Sequence, residues 1–244
     1  MAFQTQRRER PDPATLDLAD GTVTRVMQQA KDPERASVYI DDAFAFGLAV
    51  DLVIAAGLRR GVVLTADEQR ELLVRQESFG AKAAALSYVS DQARTTEEVR
   101  RNLAQKGFAE SVVEDAVEGL RAAGLLDDAA YAEAYARSRF TGRGHGPARI
   151  RQDLQRRGVD RAAIDAALDA LVETEDLAER ATEDAAAKWR SLASEPDRRK
   201  RTRKTMDFLV RRGHSFDIAR TAAEAAAEAD PPDADADEDA AWED

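Results

Sequence analysis

One short string occurs three times along this chain. It reads EEVRRNLAQKGF at residues 97 to 108, ARIRQDLQRRGV at 148 to 159 and RKTMDFLVRRGH at 203 to 214. In each copy a Leu precedes a Gly by four positions, at Leu103, Leu154 and Leu209. The period of about 50 residues is typical of tandem structural units that stack to bury their apolar faces. The chain is therefore predicted to fold as an array of repeats.

Each string predicts a helix that ends at its Gly. Val99 and Leu103 are four residues apart and so lie on one helix face, as the matching residues of the second copy do. In the third copy the apolar residue is Met206, which is offset by one position from the Val99 slot. The Gly four residues after each Leu is expected to adopt the left-handed backbone conformation that terminates a helix.

A second helix is predicted after each Gly, and a third before each string. Asp160 and Ser215 stand where N-cap residues are expected. The first copy has Ala109 there, so Ser111 with Glu114 is predicted to form a capping box slightly later. The helices upstream of the three strings are predicted at Leu86–Ala93, Tyr131–Arg139 and Leu177–Trp189. Each unit is therefore predicted to contain three helices.

The region before the first repeat has a different period. Residues 22–30, 35–40 and 44–50 are rich in β-branched and aromatic side chains and are separated by turn residues, which predicts a small three-stranded antiparallel sheet. A short helix that stops at Gly57 is predicted next. Thr65 followed by Glu68 is a capping box, which predicts the start of a longer helix.

These patterns predict a mainly α fold, with three tandem three-helix repeats in an elongated curved array and a small N-terminal antiparallel β-sheet. Aromatic residues make up only 6% of the chain, which favours helices with thin interfaces lined by Ala and Leu. The predicted segments are a disordered leader at 1–20, the sheet at 21–64, the first repeat with its preceding helix at 65–126, the second repeat at 127–173, the third at 174–228 and an acidic disordered tail at 229–244.

The net charge of −11 is unevenly distributed. The last 15 residues contain eight acidic side chains and no basic one, so the rest of the chain is close to neutral. The stretch RRKRTRK at 198–204 and the arginines of the second repeat are candidate anion-facing surfaces. Cysteine is absent, and neither a signal-peptide core nor an apolar run of membrane-spanning length is found. A cytoplasmic protein without membrane contact is expected.

Several strings resemble the RecX family of bacterial recombination regulators. YARSRFTGRGHGPARIRQDLQRRGV with AAIDAAL (135–168) is similar to the second repeat of that family, and TRKTMDFLVRRGHSFDIAR (202–220) to the third. LSYVSDQARTTEEVRRNLAQKGF and VVEDAVEGLRAAGLLDDAAYAEAYARSR resemble the first repeat and its junction with the second. VYIDDAFAFGLAVDLVIAAGLRRGVVLT (38–65) resembles the N-terminal β-extension of some members.

The resemblance implies a protein that binds the RecA filament on DNA. Members of the family depress the ATPase, strand-exchange and LexA co-protease activities of the filament and so restrain recombination and the SOS response. A monomer is expected. The alternative is an autonomous helical DNA-binding module that acts through phosphate contacts with single- or double-stranded DNA. The stretched third repeat and the acidic tail depart from the family and place direct DNA binding in more doubt than filament binding.

The candidates for filament or nucleic-acid contact lie mainly in the central repeat, where arginine is frequent. Guanidinium groups suit acidic side chains and phosphate alike, and several of these arginines recur between copies. The two tyrosines are also compatible with a core position. The candidate residues are Tyr131, Tyr135, Arg139, Arg143, Arg149, Arg151, Arg156, Arg157, Arg211 and Arg212.

An enzyme is not predicted, and neither is a cofactor or a metal site. His214 occupies the slot of Phe108 and Val159, which predicts a structural role. His145 lies in the glycine-rich stretch GRGHGPAR, which lacks the ending of a P-loop. This stretch could be a simple turn, or it could hold a phosphate or carboxylate at a helix N-terminus. DADADED at 233–239 begins like a calcium loop but has Glu238 where a Gly is required.

Overall fold

The computed structural model describes residues 13–230, and it divides the chain into two compact units, one up to Asp127 and one from Asp128. Most of the predicted leader and all of the predicted tail beyond Asp230 lie outside the described residues. The first unit consists of a 3-10 turn at Pro13–Thr15, strands β1 (Gly21–Gln29), β2 (Asp32–Ile40), β3 (Ala43–Ala49) and β4 (Val63–Leu64), and helices α1 (Val50–Ala55), α2 (Ala66–Asp91), α3 (Thr96–Gln105) and α4 (Glu110–Ala122).

The second unit is entirely helical in its described part. Its six helices are α5 (Asp128–Arg143), α6 (Pro147–Arg156), α7 (Arg161–Thr174), α8 (Leu177–Ser191), α9 (Arg198–Arg211) and α10 (Phe216–Glu228). The prediction of a mainly helical chain with three three-helix repeats and a small N-terminal sheet is confirmed. The curvature of the array and the exact repeat boundaries stay predictions.

The N-terminal sheet is antiparallel in the order β3-β2-β1-β4. The three predicted strands are present, but the sheet has a fourth, two-residue strand that the sequence analysis missed. Its pairs, Gly21 with Leu64 and Thr22 with Val63, are too few for a period of two to be visible in the sequence. The β2–β3 turn uses Asp41 and Asp42 with positive φ angles of 47° and 67°.

Helix α2 belongs to two hydrophobic cores. It begins with the predicted capping box, in which the Glu68 amide donates to Thr65 Oγ1 at 3.2 Å and the Thr65 amide donates to Glu68 Oε2 at 2.8 Å. Leu72 packs in the core of the sheet, whereas Ala81 and Ala85 are fully buried in the first three-helix bundle. The helix predicted at Leu86–Ala93 is not a separate one: residues 86–91 are the end of α2, Gln92 and Ala93 lie beyond it, and Leu86 itself is exposed.

The three-helix units repeat one arrangement. Gly107, Gly158 and Gly213 end the middle helices with positive φ angles of 81°, 76° and 93°, as predicted. Asp160 and Ser215 cap α7 and α10 through side-chain oxygens that accept backbone amides at 3.0 and 3.3 Å, also as predicted. Each bundle has its own cluster of buried residues: α2–α4, α5–α7 and α8–α10.

Two local predictions are wrong. Helix α4 starts directly after Ala109, whose amide donates to Glu77 Oε1 at 3.1 Å, so Ser111 and Glu114 form no capping box. In the third repeat the buried slot belongs to Thr205 instead of Met206. The Thr205 hydroxyl donates to the Arg201 carbonyl at 3.0 Å, which makes its burial inexpensive. The apolar pattern indicated Met206 because it is the apolar residue nearest to the position equivalent to Val99.

Candidate binding surface

Helix α5 brings Tyr131, Tyr135 and Arg139 to one face because they are four residues apart. The two tyrosine rings stack with centroids 6.0 Å apart and an interplanar angle of 19°. The Arg139 and Arg157 guanidinium carbons lie 4.8 and 5.1 Å from the Tyr135 ring centroid. Both tyrosines are half-buried against the core of the second bundle. The sequence alternatives of core and surface are thus combined, since both rings pack on the core while remaining partly exposed, and the Tyr135 ring also contacts the two arginines.

Arg149 and Arg156 are partly neutralised within α6. Their guanidinium groups lie 3.5 and 3.8 Å from the carboxylate oxygens of Asp153. The Asp153 side chain is only 15% exposed, whereas those of Arg149 and Arg156 are 42% and 59% exposed. The two arginines therefore keep an open side toward solvent while sharing one internal counter-charge.

Arg151 forms an ion pair with Asp165 of α7, and Arg161 lies 3.5 Å from the same carboxylate. The hydrogen bond from Arg151 is the largest cause that lowers the pKa of Asp165 below its usual value. The equivalent Arg100 pairs with Glu114 at 2.7 Å in the first bundle. Arg151 therefore recurs because it ties the second helix of a bundle to the third. The ion pair within the bundle explains this recurrence, so the recurrence gives no support to a partner contact at Arg151.

Arg143 and Arg211 are the last residues of α5 and α9, and both are exposed. Neither forms an ion pair with any residue of the described range. Arg212, next to Arg211, is different because its guanidinium pairs with Asp184 at 3.0 Å and lies 4.5 Å from the Phe208 ring centroid. Of the third-repeat candidates, Arg211 is thus open to a partner and Arg212 is engaged inside its own bundle.

The glycine-rich stretch after α5 is a joint between the second and third bundles. The Gly146 amide donates to the Arg212 carbonyl at 2.8 Å, and the Ala148 amide donates to the Gly213 carbonyl at 3.2 Å. A Cβ on Gly146 would collide with the backbone of Gly213. Glycine is therefore required here for the close approach of two backbones.

The same contacts answer the question of anion binding at the N-terminus of α6. Pro147 has no amide hydrogen, Ala148 donates to Gly213, and the next two amides donate to the Gly146 carbonyl. All N-terminal donors are used within the chain. The backbone amides of this stretch are therefore not available to a phosphate or carboxylate, and its geometry is that of a turn between helices. Anion binding by the side chains of Arg143 and Arg149 stays a prediction.

Both histidines lie at this joint. His214 is buried, and its Nε2 donates to the Gly144 carbonyl at 3.2 Å. The Nδ1 atoms of His145 and His214 are buried without a hydrogen-bond partner among the described residues. Burial lowers the pKa of each imidazole below its usual value, so the neutral form is favoured. The structural role predicted for His214 agrees with this packing. The sequence analysis missed the joint, although glycines 144, 146 and 213 were a signal for it.

No group of three or more His, Cys, Asp or Glu side chains between residues 13 and 230 is placed to hold a metal ion. No helix in the same range combines the length and apolar composition needed to cross a membrane.

Models of four protein domains match the chain in order. They are described as the N-terminal domain of regulatory protein RecX, at 21–65, and the first, second and third three-helix domains of RecX, at 81–120, 127–168 and 174–222.

Curated relatives match over most of their length. Regulatory protein RecX of Clostridium acetobutylicum is 30% identical over 201 residues, which covers 82% of this chain and 93% of that protein. Regulatory protein RecX of Clostridium perfringens (strain 13) is 32% identical over 204 residues, with 82% and 94% covered.

Two crystal structures have the same fold. One, of regulatory protein RecX, superposes with a TM-score of 0.64 and 27% identity, covering 84% of this chain and 99% of that one. The other, of RecX from Lactobacillus salivarius, has a TM-score of 0.54 and 27% identity, covering 62% and 96%.

Proposed function

Because this chain belongs to the RecX family of regulatory proteins, we propose that it binds the filament that the RecA recombinase forms on DNA and inhibits it. Regulation of RecA is what the family implies. The finer proposal is that binding lowers the ATPase, strand-exchange and co-protease activities of the filament and so restrains recombination and the SOS response. We propose that it does so as a cytoplasmic monomer.

The single observation that carries the proposal is the presence of all four RecX domains in order between residues 21 and 222. Three similar bundles on one chain are suited to a partner that itself repeats. Contacts made by one chain add through effective concentration, so each of them can be weak.

The second bundle offers the most suitable contact chemistry. The guanidinium groups of Arg139 and Arg157 lie over the Tyr135 ring. Arg143 is exposed and forms no ion pair in the described range. Tyr and Arg are among the residue types enriched at the energetic centres of protein interfaces. Guanidinium groups also pair with carboxylates in bidentate geometry. We therefore propose Tyr135, Arg139, Arg143 and Arg157 as the centre of the filament contact.

The test is the ATPase rate of a RecA filament on single-stranded DNA as this protein is added. The rate is expected to fall and to level off when the filament is saturated. An unchanged rate at a protein concentration equal to that of RecA would contradict the proposal. Binding followed separately by co-sedimentation with the filament shows whether a negative result reflects absent binding or absent inhibition.

A second candidate function is autonomous DNA binding, and it is favoured by arginines that lack an internal counter-charge, such as Arg143 and Arg211. Binding through several phosphates falls steeply as salt rises, because each contact releases a counterion. A salt titration with single- and double-stranded oligonucleotides and no recombinase tests this candidate. Weak, salt-insensitive binding would contradict autonomous DNA binding and would favour the RecA filament as the partner.

A further inference from the structure

The last described residue is held firmly against helix α9. The Asp230 carboxylate accepts hydrogen bonds from Trp189 Nε1 at 2.8 Å and from Arg201 Nη1 at 2.9 Å. Its carbonyl accepts from Arg198 Nη1 at 2.5 Å, and Arg198 also donates to the Ala227 carbonyl. These donors lower the pKa of Asp230, with the Trp189 hydrogen bond as the largest cause. The chain beyond Asp230 therefore starts at a fixed point beside α9.

Helix α9 is strongly basic in its first two turns, which contact Asp230. Six of its first seven residues, 198–204, are Arg or Lys. Four of them are engaged, because Arg198 and Arg201 hold the end of α10 and Lys200 and Lys204 pair with Asp197 and Glu195. Arg199 and Arg203 are exposed and form no ion pair in the described range. Arg199 and Arg203 are four residues apart and so lie on one side of α9, which we call its basic face. This face thus has an uncompensated positive charge.

A cleft of about 450 Å³ opens beside the same anchor. Its apolar wall consists of alanines and the indole of Trp189, and its charged wall consists of Arg190, Arg201 and Asp230. Arg190 is exposed and also lacks an ion pair among the described residues. The cleft therefore combines a surface for small apolar groups with cations for an anion.

The sequence that follows Asp230 has the matching chemistry. Residues 231–244 begin with two prolines and contain seven acidic side chains and no basic one. Fourteen residues reach at most about 50 Å when extended, whereas a 14-residue helix such as α9 is about 21 Å long. The segment can therefore extend along all of α9 from its anchor.

We propose that residues 231–244 occupy the cleft and the basic face of α9, and thereby shield this face from other polyanions. Arg190, Arg199 and Arg203 are the cations that the segment would neutralise. Because the segment is attached beside its site, its effective concentration is in the millimolar range, so a contact with a Kd of about 1 mM is already substantially occupied. Exposed ion pairs are screened by salt, so occupancy is expected to decrease as salt is added.

The absence of cysteine in the chain allows a direct test. A nitroxide label is attached to the Ala236→Cys variant of the full chain, and broadening of backbone amide NMR signals is measured. Signals of α9 are expected to broaden at low salt and to recover at about 1 M salt, where the Debye length is about 3 Å. The same label in an Arg199→Glu/Arg203→Glu background is expected to lose the broadening.

The matched control is Lys82→Glu/Arg137→Glu, which changes the net charge equally at two exposed cations on other helices that lack ion pairs in the described range. The control is expected to keep the broadening at α9. Absence of broadening at α9 in the otherwise unaltered chain, or its equal loss in both charge-reversal variants, would overturn the proposal. Circular dichroism of each variant verifies the helical fold.

Shielding is tested with a single-stranded oligothymidine. Replacing the seven acidic residues of 231–244 by Asn or Gln is expected to tighten binding by roughly two- to tenfold at low salt, since a competitor of millimolar effective concentration is removed. Unchanged affinity would overturn the shielding. Neither measurement contains a recombinase, so these results are independent of whether the proposed inhibition of RecA is correct.

Discussion

Arg157 and Arg212 hold equivalent positions, as the C-cap residues of α6 and α9. Each side chain contacts a residue at the same position in the first helix of its bundle, three residues after the buried Ala132 or Ala181. In the second bundle that residue is Tyr135, and the guanidinium lies over its ring; in the third it is Asp184, and the guanidinium forms an ion pair. The repetition of the arginine is visible in the sequence. Whether it contacts a ring or a carboxylate depends on a residue of another helix.

Replacing exposed arginines without internal partners should weaken filament binding more than replacing paired ones. Arg143→Glu combined with Arg211→Glu is expected to raise the protein concentration needed for half-inhibition of the RecA ATPase by roughly tenfold, because charge-assisted contacts become repulsive. Arg151→Met is the comparison, since Arg151 is engaged with Asp165. It should leave inhibition unchanged and cost at most about 1 kcal/mol of stability. Equal effects of both variants would place the contact elsewhere.

Acid should destabilise the joint at His214. Burial holds the pKa of this imidazole below its usual 6.5, and this outweighs the opposing effects of the hydrogen bond to Gly144 and of the Asp184 carboxylate. The unfolded chain therefore takes up a proton at a higher pH than the folded chain. The stabilising contribution is complete above the unfolded pKa of about 6.5 and is lost as the pH falls below it. Urea unfolding at pH about 7.5 and about 5.5 measures this difference.

The comparison for this prediction is His214→Phe, since the equivalent residue of the first bundle is Phe108. The variant loses the hydrogen bond to Gly144 but cannot be protonated. Its stability is expected to change less between the two pH values than that of the original chain. A remaining dependence is expected from His145, whose pKa is also lowered by burial. An unchanged pH dependence would show that His214 does not cause it.

At the scale of the helix, apolar spacing and glycine positions were sufficient to predict the middle and last helices of each repeat. The first helices were harder because their buried positions are alanines: Ala81 with Ala85, Ala132 with Ala136, and Ala181 with Ala185. Alanine is common on exposed and buried helix faces alike, so it gives a weak periodic signal. The large residue four positions later, Phe140 or Trp189, was the clearer indication in two copies.

The joint between the second and third bundles should depend on Gly213. Its φ of 93° is unfavourable for other residues, and a Cβ would collide with the backbone amide of Arg149. Gly213→Ala is therefore expected to lower the free energy of unfolding by at least about 2 kcal/mol. Gly119→Ala is the matched control, because Gly119 is helical, exposed and has open space around its Cα. It should be neutral or stabilising by up to about 1 kcal/mol.

Across the domains, the buried hydrophobic residues of the described range 13–230 form four separate clusters, one in the sheet and one in each three-helix bundle. A cluster of this kind is stabilised by its own members and by its immediate neighbours in the chain. Local opening is therefore expected to differ between bundles, and a core mutation should act mainly on the bundle that contains it.

Leu154→Ala tests this expectation. Leu154 is fully buried in the second bundle, so its truncation is expected to cost about 2 to 5 kcal/mol there. Hydrogen exchange should accelerate in α5–α7 and, more weakly, in α8–α10, which is joined to them through Gly146 and Gly213. Exchange in β1–β3 should be unchanged. A uniform loss of protection over the described chain would show that the four clusters unfold as one.

Spacing along the chain was sufficient to predict the three repeats and the ends of their middle helices, because it places apolar residues on one face and a glycine four positions after a leucine. The family was indicated separately, by the resemblance of several strings to its repeats. The sequence also identified the arginines that could bind a partner. Which of these arginines are available to a partner depends on the folded arrangement of the helices. Arg151 and Arg212 are engaged by Asp165 and Asp184 from other helices, and such pairing depends on distances in space that spacing along the chain does not contain.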